Sequence, residues 1–66
     1  MQVVINGEGR EIPDSLNIEE LLRHLNLRVE RVAVERNREI VKRERWRAVR
    51  LESGDRLEIV HFVGGG

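Results

Sequence analysis

Cysteine is absent from this 66-residue chain, which removes nucleophilic thiols, disulfides and thiolate-bound metals from its chemistry. Aromatic side chains are scarce, with Trp46 and Phe62 alone, and there is a single proline, Pro13. The formal charge is zero, from twelve basic and twelve acidic residues, so the total gives no pull toward nucleic acid or an anionic membrane surface. No apolar run approaches the ~18 residues of a membrane span. Met1 leads straight into an alternating pattern, so no signal peptide is expected either. A thiol-free chain suits a cytoplasmic location.

What is there describes one small folded domain. The hydrophobic fraction is 39% and the charged fraction 36%, without the low complexity or large net charge of disordered chains. A chain of this length buries only about 60% of the surface it exposes when unfolded, which keeps its stability to about 5 kcal/mol or less. The neutral total hides an uneven distribution: residues 1–35 sum to −3, residues 36–50 to +5 and residues 51–66 to −2. The basic segment Arg36 to Arg50 therefore stands out, either as an acid-binding surface or as an Arg-rich solvated face.

The periodicities predict β-β-α-β-β-β. Val3-Val4-Ile5 alternates, and Asn6-Gly7 supplies the positive-φ residues of a tight hairpin before Arg10-Glu11-Ile12. Pro13-Asp14-Ser15 ends the second strand. Asn17 can cap a helix and Glu20 can return the capping-box bond, with Glu19 and Glu20 at the positive end of the dipole. Ile18, Leu21, Leu22 and Leu25 form one apolar stripe, and Asn26 stops the helix. Arg31 to Glu35 alternates again, and Asn37-Arg38 joins it to Glu39-Ile40-Val41 in a second hairpin. Lys42 to Arg50 follows no period and is predicted as a loop or short strand anchored by Trp46 and Val49. Ser53-Gly54-Asp55 is a turn. In the last strand Leu57, Ile59 and His61 fall on one face, and Glu58, Val60 and Phe62 on the other.

Catalytic constellations are missing from the sequence. His24 and His61 are far apart, no metal-ligand spacing occurs, and the glycines do not lead a strand into a helix as phosphate loops do. The unusual feature is the ending, where a well-patterned strand gives way to Gly64-Gly65-Gly66. Three extended residues reach roughly 10 Å beyond a sheet edge, and without β-carbons they can thread a narrow channel. The terminal carboxylate is then a candidate reactive group for a partner's active site.

Val3-Val4-Ile5-Asn6-Gly7, Ile18-Glu19-Glu20-Leu21-Leu22, Val32-Ala33-Val34-Glu35 with Asn37, the run Gly54 to Val60 and the glycine end together resemble the ThiS family of thiamine-biosynthesis sulfur carriers. Trp46 falls where that family often has tryptophan. The chain departs from the family at the second hairpin, where Asn37-Arg38 replaces the usual Asn-Gly. A non-glycine residue at positive φ costs roughly 1 kcal/mol, so a looser turn is expected.

The resemblance implies an α+β, ubiquitin-like β-grasp fold: residues 1–63 as the carrier domain, residues 64–66 as a flexible tail, and the first and last strands parallel at the centre of a mixed sheet. It also implies that the chain is not an enzyme and binds no cofactor. The Gly66 carboxylate would be adenylated with ATP and Mg2+ by a ThiF-like, E1-like adenylyltransferase. It would then become a thiocarboxylate with sulfur from a donor such as a cysteine desulfurase, and pass that sulfur to a ThiG-like thiazole synthase. Gly64 and Gly65 would enter those partners' active sites. Val4, Val60 and Phe62, pointing away from the core, form the expected docking patch for both enzymes.

Three rivals share parts of this pattern. The small subunit of molybdopterin synthase has the same ending, and a ubiquitin-like modifier uses the same activated carboxylate to form an isopeptide bond. A nucleic-acid module could be built from Arg36, Arg38, Lys42, Arg43, Arg45, Arg47 and Arg50 around Trp46. Glu39 and Glu44 interrupt that patch, and neither nucleic acid nor membrane is expected as a partner.

Overall fold

In the computed structural model residues 1–62 are described, and they form a five-stranded mixed sheet crossed by one helix. The strands are β1 (Gln2–Ile5), β2 (Glu8–Glu11), β3 (Val32–Arg36), β4 (Glu39–Ile40) and β5 (Arg56–His61), with the helix α1 (Ile18–His24) between β2 and β3. Their spatial order is β2-β1-β5-β3-β4. The first and last strands lie side by side and parallel, with Val4 opposite Arg56 and Ile5 opposite Leu57. This is the β-grasp arrangement.

Each element follows from local chemistry. Asn6 and Gly7 adopt φ of 51° and 84°, giving the two-residue turn whose twist matches a right-twisted hairpin, and Ile5 pairs with Glu8 across it. Asn17 accepts from the Glu20 amide at 2.7 Å while Glu20 accepts from the Asn17 amide at 2.9 Å, a complete capping box. Asn26 takes the left-handed conformation at φ 60° just past the helix, as a helix stop requires.

The helix lies on one sheet face. Ile18, Leu21 and Leu22 are fully buried against Val3, Ile5, Val32, Val34, Leu57 and Ile59. Leu25 is only half-buried and packs at the margin of that cluster, because the helix is by then ending. Ile12, Trp46 and Leu51 complete the core.

The stretch after β4 is neither open loop nor strand. It makes a 3-10 turn at Arg43–Arg45, which swings Trp46 inward to 3% exposure with its indole N–H donating to the Val41 carbonyl at 2.9 Å. Arg50 then bridges to Asn17, and the Leu51 amide donates to the Leu16 carbonyl at 2.9 Å. The segment thereby runs on the helix side of the sheet. Among the described residues no helix is long and apolar enough to cross a membrane.

The second hairpin corrects the expectation of looseness. Arg36 pairs with Glu39 across a tight turn in which Asn37 and Arg38 both take positive φ, 51° and 73°. Asn37 holds it closed: its amide donates to the Arg56 carbonyl at 2.7 Å, its side-chain oxygen accepts from the Arg56 amide at 3.0 Å, and its Nδ2 donates to Asp55 at 3.1 Å. These bonds offset the strain at Arg38.

Candidate functional site

Strand β5 is central, paired with β1 on one side and β3 on the other, so the residues that follow it leave from the most restrained part of the sheet. The β3 pairing extends to Val32 opposite His61, and one further backbone bond joins the Phe62 amide to the Arg31 carbonyl at 2.8 Å. On the β1 side the ladder stops earlier, at Ile5. There the side chain of Asn6 takes over: its carbonyl oxygen accepts from the Ile59 amide at 2.7 Å and its Nδ2 donates to the Ile59 carbonyl at 3.1 Å. A turn residue thus substitutes for a strand and steadies β5 near its outgoing end.

Gly64, Gly65 and Gly66, the predicted tail and modified residue, lie outside the described residues. Val4, Val60 and Phe62 can be placed. All three are directed away from the buried face, Val60 and Phe62 being 58% and 56% exposed and Val4 half-buried. Val60 and Phe62 stand together at the outgoing end. Val4, opposite Arg56, lies four residues back along β5, about 13 Å at a strand's rise, so it belongs to the same face but not to one contiguous cluster with them. The apolar residue missed in sequence is Ile40, 75% exposed and opposite Glu35. Its signal was the register of the second hairpin, which puts Ile40 on the face of the outward-directed Glu35.

Four of the seven cations in the basic segment take structural roles. Arg36 donates to Asp55 at 2.8 Å, Arg47 to Glu19 at 2.7 Å and Arg50 to the Ser15 carbonyl at 2.8 Å, and the Arg43 guanidinium sits 5.0 Å from the centre of the Trp46 ring. Arg47, then Arg23, hold the Glu19 carboxyl below its usual range. With Trp46 buried, the stacking surface required for a nucleic-acid module is not on the outside. His24 and His61 are both exposed, each as the last residue of its element.

Asp55, read in sequence only as part of a turn, is the one buried charged residue among those described, at 7% exposure. It accepts from the Glu52 amide at 2.8 Å as well as from Arg36 and Asn37. Burial alone would push its carboxyl up, but the Glu52 amide, then Arg36 and Asn37, outweigh that and hold it below the usual range. The group locks the turn before β5 to the second hairpin. Among the described residues no cluster of His, Asp or Glu is placed to hold a metal ion.

Comparison with known proteins agrees with this architecture. The sequence model of the ThiS family matches residues 3–66. The sulfur carrier protein ThiS of Bacillus subtilis is 49% identical over 53 residues, covering 80% of each chain. A thiazole synthase of Paramagnetospirillum magneticum is 48% identical over all 66 residues, but the chain spans only 20% of that protein's length. The crystal structure of the thiamine biosynthesis protein ThiS from Geobacter metallireducens superposes with a TM-score of 0.87 at 38% identity, with both chains covered in full.

Proposed function

The chain belongs to the ThiS family, and on that premise we propose that it is a cytoplasmic sulfur carrier for thiamine biosynthesis rather than a catalyst. The reactive group is the Gly66 carboxylate. A carboxylate is a poor electrophile because oxide is a poor leaving group. Attack of its oxygen on the α-phosphorus of ATP, with Mg2+ on the partner enzyme, releases pyrophosphate and gives an acyl adenylate. Sulfur at the sulfide level then adds to the acyl carbon and AMP departs, leaving a thiocarboxylate; sulfur delivered as a donor's persulfide gives an acyl disulfide first, and a second thiol then cleaves its S–S bond, taking the donor sulfur into a disulfide and freeing the thiocarboxylate. As a thiocarboxylate that sulfur stays nucleophilic without being released as free sulfide.

The observation that carries this reading is the family match, which runs through the glycine end to Gly66. The likeness to a region within thiazole synthases supports thiazole synthase as the acceptor. A ThiF-like adenylyltransferase and a cysteine desulfurase complete the proposed partners. Val60 and Phe62, with Val4 further along the face, supply the docking surface. The family match also favours this reading over a molybdopterin-type subunit or a conjugated modifier.

Intact mass after incubation with the adenylyltransferase, ATP and a sulfur source tests it directly. The expected gain equals sulfur minus oxygen, and it should vanish when Gly65 and Gly66 are removed. A covalent conjugate to lysine in place of that gain would overturn the proposal.

A further inference from the structure

The outward sheet face holds a like-charge pair that the chain leaves uncompensated. Glu35 of β3 lies directly opposite Glu58 of β5, and both are exposed. Carboxylates in directly opposed positions repel and weaken a sheet. Among the described residues neither joins any of the ion pairs, which instead match the Met1 amino group, Arg23, Arg36 and Arg47 with other carboxylates. Within residues 36–50, Arg47 meets Glu19, Arg50 meets the Ser15 carbonyl and Arg36 meets Asp55, so these three are engaged elsewhere. Arg56 follows next along β5, and it too forms no ion pair within the described chain.

Two borders of this pair are apolar, and Arg56 forms the one toward the start of β5. Ile40 stands opposite Glu35 on the β4 side, and the next outward pair toward the chain end is Ala33 with Val60. Ile40, Val60 and Phe62 are the large exposed apolar side chains of the described chain. A partner covering this pair must therefore be apolar where it meets Ile40 and Val60 and positive at its middle, because two carboxylates buried against each other without a cation are left unpaired and out of water.

We infer that this face docks on the adenylating partner through a cationic side chain of that partner, seated between Glu35 and Glu58 and flanked by Ile40 and Val60. A guanidinium suits the position best, since its planar fork can donate to two carboxylates at once. The repulsion is a cost in the free chain and is relieved only in the complex, so the pair ties docking to one charge arrangement and selects against partners that present an acid there. This rests on the carrier reading and adds the chemistry of the contact.

The test uses the full chain, its Glu35→Gln and Glu58→Gln variants and the double variant. Thermal melting of the free double variant should rise or stay level, because the repulsion is gone. In ATP–pyrophosphate exchange with the adenylyltransferase its KM should rise about tenfold with kcat unchanged, and its KM should depend less steeply on salt than that of the wild type. Normal wild-type exchange with an unaltered KM and salt dependence in the variants overturns the docking inference and leaves the carrier reading standing. Absence of exchange with the wild type overturns both, and a raised KM accompanied by a lowered melting temperature assigns the effect to the fold and overturns this inference alone.

Discussion

Asp55 shows how much one buried side chain can organise. Its carboxylate gathers the Glu52 amide, Arg36 and Asn37, and because it is nearly excluded from water each of those bonds is costly to lose. Replacing it with asparagine should destabilise the fold by about 1–3 kcal/mol, read as a lowered denaturant midpoint. The pH dependence has a definite sign. A carboxyl whose folded pKa is lowered contributes in full above its unfolded value, near 3.9, and loses that contribution as the pH falls through the lower folded value. The stability gap between wild type and Asp55→Asn should accordingly narrow as the pH is taken from about 5 toward 3. A gap that stays constant across that range would assign the loss to shape rather than charge.

At the scale of elements, the second hairpin is where strain and compensation meet. Arg38 holds a φ of 73° that glycine would adopt without penalty, so Arg38→Gly should stabilise the protein by roughly 1 kcal/mol. For a domain this small that is a rise of about 4–8 °C in Tm, and a melting curve that fails to move upward would mean the arginine side chain makes up the difference. The hairpins, the capped helix and the alternation of β5 were legible in sequence because each is written in neighbouring residues: Asn6-Gly7, Asn17 with Glu20, Leu57 with Ile59. What escaped depends on neighbours distant in sequence. The 3-10 turn that buries Trp46 has no period to betray it, and Leu51 and Asp55 acquire their roles only when the Lys42–Asp55 stretch folds back on Leu16 before the helix and on Arg36 and Asn37 at the second hairpin. Ile40 looked like ordinary strand filling until the register placed it on the outward face.

For the whole molecule the arrangement separates support from contact. The helix side carries the core and most of the basic segment, and the other sheet face is left uncovered with Val60 and Phe62 next to the outgoing strand. A charge at Phe62 should leave the body intact, since an exposed position away from caps and core usually shifts stability by no more than about 0.5 kcal/mol. Adenylation of Phe62→Asp should nonetheless slow, measured as a fall in kcat/KM for pyrophosphate exchange at unchanged Tm. A normal rate would place the docking surface elsewhere on the molecule.

The contact between Asn6 and Ile59 spans 53 positions of sequence, and the parallel ladder beside it is nearly as remote. Closure of so large a loop is an entropic cost met before any reward, so the middle strand is slotted into place late. A half-assembled chain holds its final strand from one side alone, against β3. Activation by a partner that demands this strand in position would then act, without any separate inspector, as a check that assembly had finished.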